Sequence, residues 1–508
     1  MTQHDLTLVP GGHSAEAVTE VLDLKHMIDG SWMASASGET FERVSPATGQ
    51  LVSRAARGGE TETDAAIAAA RRAFDDRCWS DMPGAERAKM LNKVADLIDD
   101  NRARLAHYET MESGKPIAQA EAEIEGAANI WRYAATLAWN IRGESQNALG
   151  PDMLGMVLKE PIGVVSIITP WNFPFLIVSQ KLPFALAAGC TAVIKPSEMT
   201  STTTVMLGGL LIEAGLPSGV VNIVLGFGDP VGARMTTDPR VDMVSFTGST
   251  GVGKAIVAAT SGTLKKVSLE LGGKNPQVIF PDADLDEAAD AIVFGVYFNA
   301  GECCNSGSRI IVHKDVAEEL TQKVVELSKK VPFGDPLNRK TKVGAIISAE
   351  HQAKINAYVE AAEADGAEVR LGGEGLSVEG LTEQFYQPTV VAGVTANMAI
   401  AREEVFGPVL AVLTFDTFEE AIALANSASY GLSAGVWSEN VHTCVAFARR
   451  VEAGTVWTNT WMDGFPELPF GGVKESGLGR ELGSNGIEEF LESKTIQMRL
   501  GKTRQKWV

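Results

Sequence analysis

Cysteine is scarce: five in 508 residues, at Cys78, Cys190, Cys303, Cys304 and Cys444. Their odd number and irregular spacing exclude a disulfide framework, give no zinc pattern and fit a reducing cytoplasm. Histidine is sparse too, seven residues without ligand spacing or an HExxH motif, so no metal is expected. Positive charge is in the minority: 44 Lys and Arg against 64 Asp and Glu leave a net charge of −20. Such a chain repels a nucleic-acid backbone, and no nucleic-acid partner is expected. One stretch reverses the sign, because Lys494, Arg499, Lys502, Arg504 and Lys506 occur without an acid among them. It reads as a solvated or subunit-contacting tail. Long hydrophobic runs are missing as well. Residues 161–180 are uncharged, but Pro161, Pro170 and Pro174 interrupt them and Trp171-Asn172 is polar. A buried strand running into a loop is expected there, not a membrane span. The first residues show no basic segment followed by an apolar core, so no secretory signal is expected.

What is present is the composition of a globular protein, with 45% apolar and 21% charged residues, 51 Gly and 21 Pro. The length corresponds to roughly three domains of about 150 residues. Helical spacing predicts helices over 62–77, 84–111 and 116–138. Beyond Pro161, β-branched runs at 164–168, 191–194, 220–224 and 243–246 alternate with helix-like stretches near 176–188, 201–214, 229–236 and 252–260. Alternating strand and helix predicts an α/β protein with parallel strands and helices on both faces. The alternation resumes from Gln277, through 309–312, 316–330, 351–364 and 409–415 to 438–452, so two α/β lobes joined near residue 272 are expected. Residues 145–160 and the tail beyond about 487 fit neither lobe. Their short apolar runs, 153–158 and 495–500, are expected to pair with strands of another subunit.

Three motifs bear chemistry. Gly248-Ser249-Thr250-Gly251-Val252-Gly253 follows a strand and opens a helix, where backbone N–H groups hold phosphate. With Lys254 it reads GxxxxGK, but Ala255 stands where a Walker loop needs a magnesium-binding hydroxyl. A dinucleotide is therefore favoured over a P-loop nucleotide. Lys195-Pro196-Ser197-Glu198 follows another strand, placing a lysine and a carboxylate where open sheets bind ligands. Glu198 suits a ribose 2′-hydroxyl and repels a 2′-phosphate; the alternative is a solvated helix cap. Last, Asn299-Ala300-Gly301-Glu302-Cys303-Cys304 combines with Glu270 of Leu269-Glu270-Leu271-Gly272-Gly273 and Asn172 of Pro170-Trp171-Asn172-Phe173-Pro174. A thiol, a carboxylate and an amide donor form the inventory of covalent acyl chemistry.

In these motifs, their order and their spacing, the chain resembles the NAD(P)-dependent aldehyde dehydrogenase superfamily from about Asp23 to Lys494. The resemblance implies an aldehyde dehydrogenase-like α/β fold: a Rossmann-like cofactor lobe, a catalytic lobe and a small oligomerisation segment. The expected division is an N-terminal extension over 1–22, an NAD-binding domain over 23–142 and 161–272, and a catalytic domain over 273–487. Residues 143–160 and 488–508 would make the oligomerisation segment of a homodimer or homotetramer. It further implies Cys304 as nucleophile, Glu270 as general base, Asn172 as oxyanion donor and Glu481 as a proton relay. The implied cofactor is NAD, with NADP admitted. Trp171, Lys195, Glu198, Gly228, Gly248, Ser249, Gly253, Glu404 and Phe406 would contact it. Phe173, Gln180, Cys303, Trp461 and Phe465 would form the aldehyde pocket. Two residues depart from the common pattern: Gly251, where many members carry Glu, and Gln180, where many carry an aromatic.

The implied reaction oxidises an aldehyde to a carboxylic acid through a Cys304 thiohemiacetal and thioester. Glu270 marks hydrolytic release, since members that pass the acyl group to coenzyme A generally lack that glutamate. Trp461 and Phe465 suit an aromatic or extended aldehyde, or a partial cage for a quaternary ammonium such as betaine aldehyde. No arginine stands in these segments to clamp a carboxylate, which disfavours a succinate-type semialdehyde.

Overall fold

The computed structural model describes residues 6–12 and 20–501. Its first large sheet has the spatial order Gly477–Leu478, Lys266–Glu270, Met243–Thr247, Val164–Ile168, Thr191–Lys195, Val221–Ile223, His26–Ile28, Ser31–Met33. The strands from 266–270 to 221–223 run parallel. Val164–Ile168 and Thr191–Lys195 are buried along their whole length, the signature of strands covered on both faces. Successive side chains alternate between two cores. Val165 and Ile167 pack towards helices Pro174–Ala188 and Thr202–Ala214, whereas Val164 and Ile168 pack towards Glu60–Asp75 and Thr250–Thr260. Chain order reverses at Val164–Ile168, so its carboxyl end is the switch point at which open sheets bind ligands.

The expected helix over 84–111 is two helices, Gly84–Asp100 and Arg102–Ser113. Asn101 breaks it: its side chain donates back to the Leu97 carbonyl at 2.9 Å, competing with the helical ladder. A second sheet of seven strands runs Glu368–Leu371, Thr389–Ala392, Val409–Phe415, Arg309–His313, Pro276–Ile279, Ser433–Trp437, Thr455–Thr458. Only its first pair is antiparallel.

The apolar runs expected to meet another subunit pair with each other. Leu491–Arg499 lies antiparallel along Met153–Pro161, Thr495 opposite Val157 and Arg499 opposite Met153, with Glu144–Gln146 on the far side. Each run thus satisfies the facing side of its ladder within one chain, while the outer side of Leu491–Arg499 carries no further strand among the described residues. Lys494 forms an ion pair with Glu160; Lys502, Arg504 and Lys506 lie outside the described residues. The N-terminal stretch is partly described, and its Leu8–Val9 pairs with Phe333–Gly334. Gly477–Leu478 belongs by sequence to the second lobe yet joins the edge of the first sheet, Gly477 opposite Glu270. Among the described residues, no helix is long and apolar enough to cross a membrane.

Candidate active site

Helix Leu285–Tyr297 runs into a tight turn, Phe298–Gly301, where Asn299, Ala300 and Gly301 adopt φ of 52°, 55° and 72°. Left-handed backbone at two non-glycine residues stores roughly 1–2 kcal/mol each. Neighbours hold the turn. Asn299 Nδ2 donates to the carbonyls of Asn172 (3.1 Å) and Glu302 (3.0 Å), and a Cβ at Gly301 would strike the Gly407 carbonyl. Beyond the turn, Asn275 Nδ2 donates to the carbonyls of Cys304 (2.8 Å) and Ser306 (2.9 Å), while its Oδ1 accepts the Ser433 N–H at 3.1 Å. The second sheet thereby pins the loop that carries Cys304. Asn172 is buried, and its Nδ2 donates to the Glu302 carbonyl at 3.0 Å. An amide has two such hydrogens, so one remains for an oxyanion.

Glu270 ends strand Lys266–Glu270 and is buried, with both carboxylate oxygens lacking a hydrogen-bond partner among the described residues. Burial, and next the Glu481 carboxylate, raise its pKa well above the usual range. A Cβ at Gly471, where φ is 151°, would lie 2.6 Å from Glu270 Oε1, so glycine leaves the room that the carboxylate uses. Glu481 forms a buried ion pair with Lys181, whose ammonium also donates to Ser245 Oγ at 3.3 Å. Hydrogen bonding with the Cys303 side chain, and then burial, raise the Cys304 thiol well above its free value. Cys303 itself donates to Asn305 Oδ1 at 2.8 Å.

Across the sheet ends, Lys195 stands opposite Ile168, Ile168 opposite Phe246, and Thr247 opposite Glu270. Three strand spacings separate Lys195 from Glu270, roughly 14 Å. Lys195 Nζ donates to the carbonyls of Pro196 (2.9 Å) and Gly226 (3.0 Å) and lies 3.6 Å from Glu198. Burial lowers its pKa, against the pull of Glu198. Gly248 is pressed on the Phe246 ring, a Cβ at Gly253 would lie 2.7 Å from Leu271, and Ser249 caps helix Thr250–Thr260. The first N–H groups of that helix face the sheet ends with no helical partner of their own. Gly228 and Gly251 are exposed with open space beside them, so no close contact demands glycine at either. Lys254 turns to Glu475 at 2.7 Å on the surface, which leaves the P-loop reading without its phosphate-binding ammonium. Glu404 Oε1 accepts the Gly273 N–H at 2.9 Å, and burial pushes Glu404 up to about 7. Trp171 packs edge-on against Phe406, ring centroids 5.5 Å apart.

A cavity of about 620 Å³ gathers Phe173, Gln180, Glu270, Cys303, Cys304, Phe465 and Glu481. Its wall carries the acids Glu123, Glu270, Asp463 and Glu481, of which Glu123 is paired with Lys115 and Glu481 with Lys181 behind the wall, and no Lys, Arg or His lines it among the described residues. Trp461, expected in this pocket, does not reach it. Its indole fills the space cleared by Gly295, Gly307 and Gly435 and tilts on Trp457 with centroids 4.9 Å apart. Burying so large a ring outweighs exposing it, and Trp457 lines the wall instead.

A family model described as the aldehyde dehydrogenase family matches residues 32–496. The chain belongs to the aldehyde dehydrogenase family. A betaine aldehyde dehydrogenase of Bacillus subtilis is 42% identical over 470 residues, 92% of this chain and 96% of that protein. Human retinaldehyde dehydrogenase 3 is 42% identical over 485 residues, 95% of this chain and 94% of its own. The crystal structure of an NAD-dependent aldehyde dehydrogenase from Sinorhizobium meliloti superposes with a TM-score of 0.96 at 49% identity, covering 99% of each chain.

Several supports of this aldehyde dehydrogenase site went unread in the sequence: Asn275, Asn299, Lys181 and Gly471. Asn299 stands inside the Cys304 motif and Asn275 two residues after Gly273, so an amide within or beside a motif was the signal that could have marked them. Gly272-Gly273 has a sharper role than its motif suggests. A Cβ at 272 would lie 2.5 Å from Glu404 Oε2, and one at 273 would strike the Cys304 carbonyl. Gly273→Ala therefore moves the loop that carries Cys304, and kcat/KM for aldehyde oxidation is expected to fall about a hundredfold. Steady-state rates of the purified variant, beside an unchanged melting curve, check this.

Proposed function

We propose that the chain oxidises a neutral or cationic aldehyde to its acid with NAD, using Cys304 as nucleophile and hydrolytic release. One observation carries the reading: Cys304 and a buried, partnerless carboxylate, Glu270, line the same cavity. With both pKa values raised, the thiol proton passes to Glu270 as the sulfur forms its bond to the carbonyl carbon. The carbonyl electrons move to oxygen, where the free Asn172 N–H and the Cys304 backbone N–H meet the charge. Such a donor contributes about 3–4 kcal/mol in the transition state. NAD, when bound, supplies the acceptor for the aldehyde hydrogen as hydride. Glu270 first gives up the thiol proton towards Glu481, then takes a proton from water as the water oxygen attacks the Cys304 thioester; the C–S bond breaks, the sulfur leaves as thiolate and the acid departs. Glu481, held by Lys181, relays the proton outward.

Lys195 and Glu198 hold the adenosine ribose, Gly248, Ser249 and Gly253 the pyrophosphate side, and Trp171, Glu404 and Phe406 the nicotinamide end. The residues fit: a span of roughly 14 Å, glycine where the loop packs closely, and a helix N-terminus between them. Glu198 disfavours the 2′-phosphate of NADP. Residues 23–142 and 161–272 serve the cofactor, 273–487 catalysis, and 143–160 with 488–508 assembly into a homodimer or homotetramer. The outer edge of Leu491–Arg499, free of a further strand among the described residues, supports the last assignment. The free cysteines fit the cytoplasm.

The aromatic wall, which presents no cation among the described residues, favours uncharged or positively charged aldehydes, including betaine aldehyde, with Trp457 and Phe465 in place of the pair first expected. A spectrophotometric panel with NAD and NADP tests this. Betaine-type and aromatic aldehydes are expected to exceed succinate semialdehyde in kcat/KM by at least about tenfold, one unit charge in a poorly screened cavity. A preference for the semialdehyde overturns the substrate reading.

A further inference from the structure

We propose that His351 is a positioning residue that locks the loop 404–406 to the nucleophile turn and so sets the affinity for NAD. The proposal rests on the reading above that Glu404 and Phe406 meet the nicotinamide end. Phe406 has φ of 59°, a left-handed backbone that a phenylalanine keeps only under restraint. The restraint is visible: His351 Nε2 lies 2.7 Å from the Phe406 carbonyl. A carbonyl only accepts, so Nε2 carries the hydrogen. The same Nε2 lies 3.9 Å from Glu302 Oε1, one residue before Cys303. The ring also packs edge-on with Trp171, centroids 5.7 Å apart, one residue before Asn172. One imidazole thus touches all three segments that bring the proposed nucleophile, oxyanion donor and cofactor contacts together.

The sequence sets that imidazole in place. Ser348 caps helix Ala349–Ala364, its Oγ accepting the His351 N–H at 3.1 Å, which puts residue 351 in the first turn. Just before the cap, the Ile347 N–H donates to Glu302 Oε1 at 3.0 Å, so the helix start is itself fastened to the nucleophile turn. Without the bond from Nε2, Phe406 relaxes towards ordinary backbone angles. Glu404, two residues upstream, then loses its register over Gly272 and Gly273.

The experiment compares wild type, His351→Leu, His351→Gln and Glu404→Ala by steady-state kinetics and thermal melting. His351→Leu keeps the volume and loses the donor, and its KM for NAD is expected to rise about tenfold, the loss of one well-made hydrogen bond. Its KM for aldehyde and its melting temperature stay near wild type. His351→Gln retains an N–H and is expected to recover most of the NAD affinity, which a purely structural role would not predict. If Glu404→Ala raises the KM for NAD while His351→Leu leaves it within about twofold of wild type, the proposal for His351 falls and the cofactor reading stands. Equal losses in the Leu and Gln variants, accompanied by a lower melting temperature, also overturn it. An unchanged KM for NAD in Glu404→Ala overturns the cofactor reading itself.

Discussion

Cys304→Ala is expected to form no NADH, either in a first rapid phase or in the steady state. Removing the nucleophile of a covalent enzyme costs on the order of a million-fold, because the remaining groups have no bond-forming partner. Cys303 cannot replace it. That side chain is buried in a small apolar cluster with Phe173 and Ile177, and its thiol is committed to Asn305 Oδ1. The variant is nevertheless expected to bind NAD and to melt normally, since the loop is fastened through the Cys304 carbonyl and not through its sulfur. Stopped-flow absorbance at the NADH band, beside NAD titration, makes the measurement. Steady-state turnover within about tenfold of wild type would remove Cys304 from the reaction.

Glu270→Gln separates the two half-reactions. The amide cannot take a proton from water, so the thioester accumulates. The first NADH is expected at full amplitude, about one per subunit and more slowly, followed by turnover reduced about 10²–10⁴-fold. The pH dependence follows from the direction of the shift. A carboxyl whose pKa is raised by burial and by Glu481 stays protonated further up the scale and cannot act as base there. Wild-type turnover therefore rises with pH through that raised value, and the Gln variant lacks the rise. Full turnover in Glu270→Gln, or a slope that survives the substitution, would falsify the role of Glu270 as base.

Much of the fold was legible because buried parallel strands read as nearly continuous apolar runs: Val-Val-Ser-Ile-Ile at 164–168 and Ala-Val-Ile at 192–194 could be read without neighbours. The motifs at Trp171-Asn172, Lys195 and Gly248 could be placed at sheet ends for a related reason, since each ends or directly follows such a strand, whereas the Cys304 turn follows a helix. What stayed hidden depended on partners far away in the chain. Trp461 looked like a pocket residue because the glycines that make room for it, at 295, 307 and 435, are not adjacent to it in sequence. Lys181 and Glu481 are 300 residues apart, and nothing local announces their ion pair. The pairing of 153–161 with 491–499 is likewise a contact between distant segments. Each run alone reads only as an exposed strand in search of a partner.

The crossing of Gly477–Leu478 back to the first sheet restricts how the cleft can change shape. Leu478 pairs with Leu269 and Gly477 with Glu270, while Ser476 accepts the Leu271 N–H at 2.9 Å and donates to the Gly272 carbonyl at 2.7 Å. A clam-shell swing of one lobe away from the other would have to tear this backbone ladder beside the proposed base. Exchange of oxidised for reduced cofactor must then proceed with the two halves stationary, by local yielding of side chains and loops at the rim.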